Sequence, residues 1–201
     1  MLNTTDLYDL LASYGLDSEE YPGFHLAWAE GLNAEELSRR LGADPSSAFR
    51  CRINDLLNGD SHGVSMWADT IGGWVQAFLF WSTPNLSFLQ EISCDGTRAL
   101  SLECGASSTY RLDWAADGAI VTSFAIDWPD ERGGVNPHAL DPLMEGLKFQ
   151  LDNPGNFSID DPVTIEVSVT SALRLAGRIT GSEINAEWLD AIHTRYSFRT
   201  S

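Results

Sequence analysis

The stretch VSMWADTIGGWVQAFLFW, residues 64–81, decides the fold. Two apolar runs, Val64 to Thr70 and Trp74 to Trp81, flank Ile71-Gly72-Gly73. A Gly-Gly pair between two such runs supplies the positive φ that a tight hairpin turn requires, so the stretch reads as a β-hairpin. Downstream, Asn85 to Ile92 reads as one short helix. Arg98, Leu100 and Leu102 then alternate with Ala99, Ser101 and Glu103, the period of a half-buried strand. Tyr110, Leu112 and Trp114 share one face of the next strand, and Asp117-Gly118 turns the chain into Ala119 to Ile126. Strands joined by connections this short pair antiparallel. The expected fold is α+β: a central antiparallel sheet of about five strands drawn from residues 64–126, flanked by N- and C-terminal helices.

The flanks read as helical. Thr4 or Thr5 caps a first helix with Leu7, Leu10, Leu11 and Tyr14 on one face and Gly15 as its stop. Phe24 to Glu30 suits either a strand or a short helix. Asn33 is followed three residues later by Glu36, the capping-box spacing, and Leu37 and Leu41 continue the face. The same Asn-Ala-Glu-x-Leu text returns at Asn185 to Leu189, starting a helix expected to run from Ala186 to about Arg195. Asp127 to Val135 reads as a loop. Asn136 and Pro137 then open a helix carrying Leu140, Leu143, Met144 and Leu147. Residues 162–180 read as one helix, against a competing strand-like alternation from Val163 to Val169. The expectation is a single domain over residues 1–201: helical to 60, sheet from 61 to 126, helical from 127.

Charge restricts the partners. The 201 residues hold 12 Lys plus Arg against 29 Asp plus Glu, a net charge of −17, and Lys148 is the sole lysine. Such a surface repels phosphate backbones and anionic lipid heads, which argues against nucleic acid and membrane as partners. The longest apolar stretch, Trp74 to Trp81, is far short of the ~20 residues of a membrane span. The N-terminus shows no basic start followed by an apolar run, and Cys51, Cys94 and Cys104 match no zinc spacing. A cytoplasmic location with free thiols is expected; a Cys94–Cys104 bridge is the alternative.

An ordered set of short pieces resembles an actinobacterial family that carries only a domain-of-unknown-function label. The pieces are Gly31-Leu32-Asn33-Ala34-Glu35-Glu36-Leu37 with Leu41-Gly42-Ala43, then Gly73-Trp74, then Ser93 with Gly96-Thr97-Arg98, then Asp117-Gly118. Phe124, Pro129, Arg132-x-Gly134 and Pro137-x-x-Leu140 follow, and the set closes on Ala172-Leu173-Arg174-Leu175-Ala176 with Thr180-Gly181. Where the family often has a glutamate five residues after the hairpin tryptophan, this chain has Leu79. The resemblance implies a bacterial, cytoplasmic, single-domain protein and no activity.

No catalytic signature emerges. There is no Gly-x-Ser-x-Gly elbow, and His25, His62, His138 and His193 are scattered. Asp127, Asp130 and Glu131 come closest to an oxygen-ligand cluster, but a solvated acidic loop offset by Arg132 is the simpler reading. Glu35 to Asp44, with Arg39-Arg40, suits the first helix of a helix-turn-helix whose second would start near Asp44-Pro45, with Arg50 and Arg52 as its groove contacts. The net charge argues against it. What remains is a non-enzymatic acidic protein, immunity- or antitoxin-like, that captures a basic protein, possibly a toxin, and needs no cofactor. Its expected contact residues are Asp127, Trp128, Asp130, Glu131, Arg132, Asp141 and Glu145. The alternative is a small-molecule-binding domain or cryptic enzyme using the same acidic loop. The seven tryptophans serve either the core or the centre of such an interface.

Overall fold

The computed structural model describes residues 7–16, 23–57, 63–80, 86–105, 110–126, 132–149 and 163–198. In chain order the elements are α1 (Leu7–Ser13), β1 (Gly23–Glu30), α2 (Ala34–Arg40), β2 (Ala43–Cys51), α3 (Ile53–Leu57), β3 (Ser65–Ile71), β4 (Trp74–Phe80) and α4 (Leu86–Ile92). Then come β5 (Arg98–Gly105), β6 (Tyr110–Ala116), β7 (Ala119–Ala125), β8 (Arg132–Gly133), α5 (Asp141–Met144), α6 (Ile165–Thr180), α7 (Ala186–Asp190) and β9 (His193–Phe198). Among the described residues nine strands form one sheet, in the order β2-β9-β3-β4-β1-β5-β6-β7-β8. Every pairing is antiparallel.

This overturns the expected five-stranded sheet flanked by helices. The five strands read between residues 64 and 126 form, but β1 from the N-terminal part lies between β4 and β5. β2 and β9, from opposite ends of the chain, extend the sheet beyond β3. Three physical reasons account for the misreading. β1 is buried on both faces, so its alternation is blunted. β2 is an edge strand with Pro45 near its start and mostly exposed side chains, and a polar edge strand shows no clean period. α7 does start at the Asn185 cap, whose side chain accepts from the Trp188 amide, but it lasts one turn before the chain re-enters the sheet as β9. Because β2 starts at Ala43, the second helix of a helix-turn-helix does not exist.

Helices cover both faces. α1, α3, α6 and α7 pack on the face carrying Leu26, Trp28, Trp67, Phe78, Leu100, Leu102, Leu112 and Phe124. α2 and α4 pack on the opposite face through Leu37, Phe88, Leu89 and Ile92. That second face is rich in alanine: Ala27, Ala29, Ala68, Ala77, Ala99 and Ala115 are all fully buried there. Between the layers, all of β4 is buried, as expected of a central strand covered on both faces. The large core also holds a polar residue, Gln76, 1% exposed, whose Oε1 accepts from Trp28 Nε1 at 2.8 Å. Trp74 is buried beneath the Arg98 guanidinium, 5.3 Å from its ring, whereas Trp114 is half-buried. The three cysteines are free thiols.

Candidate functional site

The alanine-lined face changes character toward one end of the sheet, where β1 and β6 begin and β4, β5 and β7 end. Two cross-strand rows carry the change. In the first, Ala77, Ala27, Ser101, Asp113, Ser123 and Gly133 lie opposite one another from β4 to β8. In the second, Leu79, His25, Glu103, Arg111 and Ala125 do the same from β4 to β7. Residues directly opposite in an antiparallel pair project to the same face. The face therefore runs from alanine and leucine on β4 into a polar patch on β5, β6 and β7. Gly23, opposite Gly105, closes the β1–β5 end of the patch. Its φ is +123°, and a Cβ there would lie 2.1 Å from the Cys104 carbonyl oxygen, so only glycine fits.

Asp113 is the anchor of the patch. It is 4% exposed, and Arg111 Nε donates to its Oδ1 at 3.1 Å. Arg111 Nη2 also donates to Ser123 Oγ at 2.5 Å, and that hydroxyl donates in turn to Asp113 Oδ1. Burial nevertheless pushes the Asp113 carboxyl above the usual aspartate range; the bonds from Ser123 and the charge of Arg111 pull the other way. Glu103, half-buried, is likewise raised, first by burial and then by the Asp113 charge, with Arg111 opposing. His25 is 5% exposed, packed edge-on against Phe88 at 5.7 Å, and neither ring nitrogen has a hydrogen-bond partner among the described residues. Burial lowers its pKa to about 4, so the ring is neutral at pH 7.

Perturbed carboxyls and unpaired buried imidazoles cluster at functional sites, which makes this patch the candidate site. Chemically the patch can accept a proton donor or hold a cation. Among the described residues no group of three or more His, Cys, Asp or Glu is placed to hold a metal ion. The positive charge beside Asp113 is the Arg111 guanidinium, 3.1 Å from its carboxylate.

The family model described as "Family of unknown function (DUF6461)" matches residues 1–198. The chain belongs to that family. No curated protein and no solved structure matches it. Membership in DUF6461 assigns no chemistry, so the site rests on its geometry.

Of the contact residues expected from the sequence, Asp127, Trp128, Asp130 and Glu131 lie outside the described residues. Arg132 and Asp141 come together: Arg132 Nη1 donates to Asp141 Oδ1 at 3.2 Å, and His138 Nδ1 lies 3.0 Å from Asp141 Oδ2. Arg132 also lies 5.9 Å over the Phe124 ring. It thus ties β8 to the segment leading into α5, and the Asp141 charge is met within the chain. Glu145 is exposed, and its carbonyl accepts from Arg178 Nη1 at 2.9 Å. Trp28, Trp67, Trp74 and Trp188 are buried, so these rings serve the core. The polar patch was legible only as a phase: Glu103 and Asp113 fall in step with alanines, the phase a half-buried sheet would give to solvent.

No helix among the described residues is long and apolar enough to cross a membrane.

Proposed function

We propose that the protein is a non-enzymatic, acidic binding protein that captures a basic protein, in the manner of an immunity protein or antitoxin, in the cytoplasm of an actinobacterium. The observation that carries this reading is the net charge of −17. The fold adds to it. Arg39, Arg40, Arg98, Arg111 and Arg132 are committed to carboxylates of the same chain. Arg50 and Arg178 donate to backbone carbonyls. Exposed acids such as Asp95, Asp117, Glu145, Glu183 and Glu187 set the sign of the outer surface. Opposite charge on a partner speeds encounter and suppresses wrong partners.

The test is affinity capture from native lysate of the source cell, with the wild-type chain and with Asp130→Lys/Glu131→Lys as parallel baits. Recovery of a strongly basic protein by the wild type, and much less of it by the charge-reversed bait, supports the reading. Recovery of no basic protein contradicts it.

A further inference from the structure

We infer that the face shared by His25, Glu103 and Asp113 is a binding site for one ammonium or guanidinium group. His25 on β1 stands directly opposite Glu103 on β5, which stands opposite Arg111 on β6. These three side chains therefore leave the sheet on one face, each beside the next, with the His25 and Arg111 backbones two strand spacings, ~10 Å, apart. Asp113, one row away on the same face, takes the bonds of Arg111 and Ser123. That assignment matches the one guanidinium of the patch to one of its two carboxylates. Glu103 supplies the remaining negative charge.

His25 is the independent observation. A buried imidazole with both nitrogens unpaired forfeits hydrogen bonds that water or protein normally supplies. The ring packs edge-on against Phe88 and stands in register with Glu103, and its neutral form carries one acceptor and one donor that no described residue uses. A neutral ring beside a carboxylate suits a cation that also donates hydrogen bonds. An ammonium or guanidinium is such a group; an anion would meet two carboxylates. Among the described residues no group of three or more His, Cys, Asp or Glu is placed to hold a metal ion. One unmatched charge selects a monocation.

The same chemistry has two sources, a small free amine or the lysine or arginine side chain of a protein. The inference stands on the patch alone and not on the basic-partner reading. The probes are n-butylammonium, methylguanidinium and a short arginine- and lysine-rich peptide, each titrated into the full chain while the His25 ring and the 101–105 and 111–113 amides are followed by NMR. Saturable shifts centred on these signals, about tenfold or more weaker in binding for Glu103→Gln, are expected. His25→Phe is the second variant; it keeps the ring packing on Phe88, removes the nitrogens, and is expected to weaken binding as well. Saturation by the small cations identifies a free amine site; saturation by the peptide alone, still sensitive to Glu103→Gln, identifies a protein side chain. Absence of saturable shifts with all three probes, or binding unchanged in both variants, overturns the inference. Peptide binding that ignores both variants does so too, while leaving capture of a basic partner elsewhere on the surface intact.

Discussion

Lowering the pH should act on this fold through His25. A histidine of ordinary value 6.5 in the unfolded chain and about 4 in the folded one binds its proton more tightly when unfolded. For such a lowered base, stability is intact above 6.5 and is lost as pH falls toward the folded value. Each pH unit inside that window costs about 1.4 kcal/mol, so pH 4.5 should cost about 2–3 kcal/mol from this residue alone. Glu103 and Asp113 act with the opposite sign, because their carboxyls are raised and protonation relieves them. The total pH profile therefore does not isolate His25, and the comparison with His25→Phe does. The phenylalanine fills the same space against Phe88 without a titrating group. Urea denaturation of both chains at pH 7 and pH 4.5 is the assay. The variant should gain about 2–3 kcal/mol on the wild type between the two conditions. A difference constant to within about 0.5 kcal/mol would mean that the ring is hydrated or paired in solution, and the reasoning about the patch would fail with it.

Other expectations follow from single contacts. Trp28→Phe and Gln76→Leu each break the buried hydrogen bond between these two side chains and orphan its partner, so a double-mutant cycle should return a coupling of about 1–3 kcal/mol; independent effects would contradict the bond. Gly134→Ala should destabilise by more than about 1 kcal/mol, because its φ is +102° and a Cβ would lie 2.3 Å from the Val121 carbonyl oxygen; an unchanged Tm would refute this. Glu103→Gln should raise stability at pH 7, where the ionised acid is disfavoured. That gain should shrink as pH falls through the raised value toward 4.5, and growth of the gain on acidification would reverse the sign argued here.

The hairpin at residues 64–81 is legible because its turn needs positive φ at Gly72 and Gly73, which are +58° and +87°. Both asparagine caps are legible for a similar local reason: each side-chain oxygen accepts a backbone N–H three residues on. Long-range pairing leaves no such local mark. Nothing in Ala43 to Cys51 announces that it will pair with His193 to Phe198, some 150 residues away, and the polar edge has no period to betray it. The patch hides for another reason. Charged residues on one phase of β5 and β6 suggest a solvated face, and only the placement of β1 beside β5 brings His25 against them. The tryptophans read by type as core or as interface, and the core reading holds for Trp67, which is wholly buried with its Nε1 donating to the Cys51 carbonyl at 3.0 Å.

The central functional claim is electrostatic capture of a basic protein, and salt tests it most directly. The association rate of the chain with the basic protein recovered by capture should be measured from 0.1 M to 1 M sodium chloride. The Debye length shrinks over that range from ~10 Å to ~3 Å, so capture steered by the −17 surface should slow by tenfold or more, with a far smaller change in dissociation. An association rate that stays constant across the range would contradict the account.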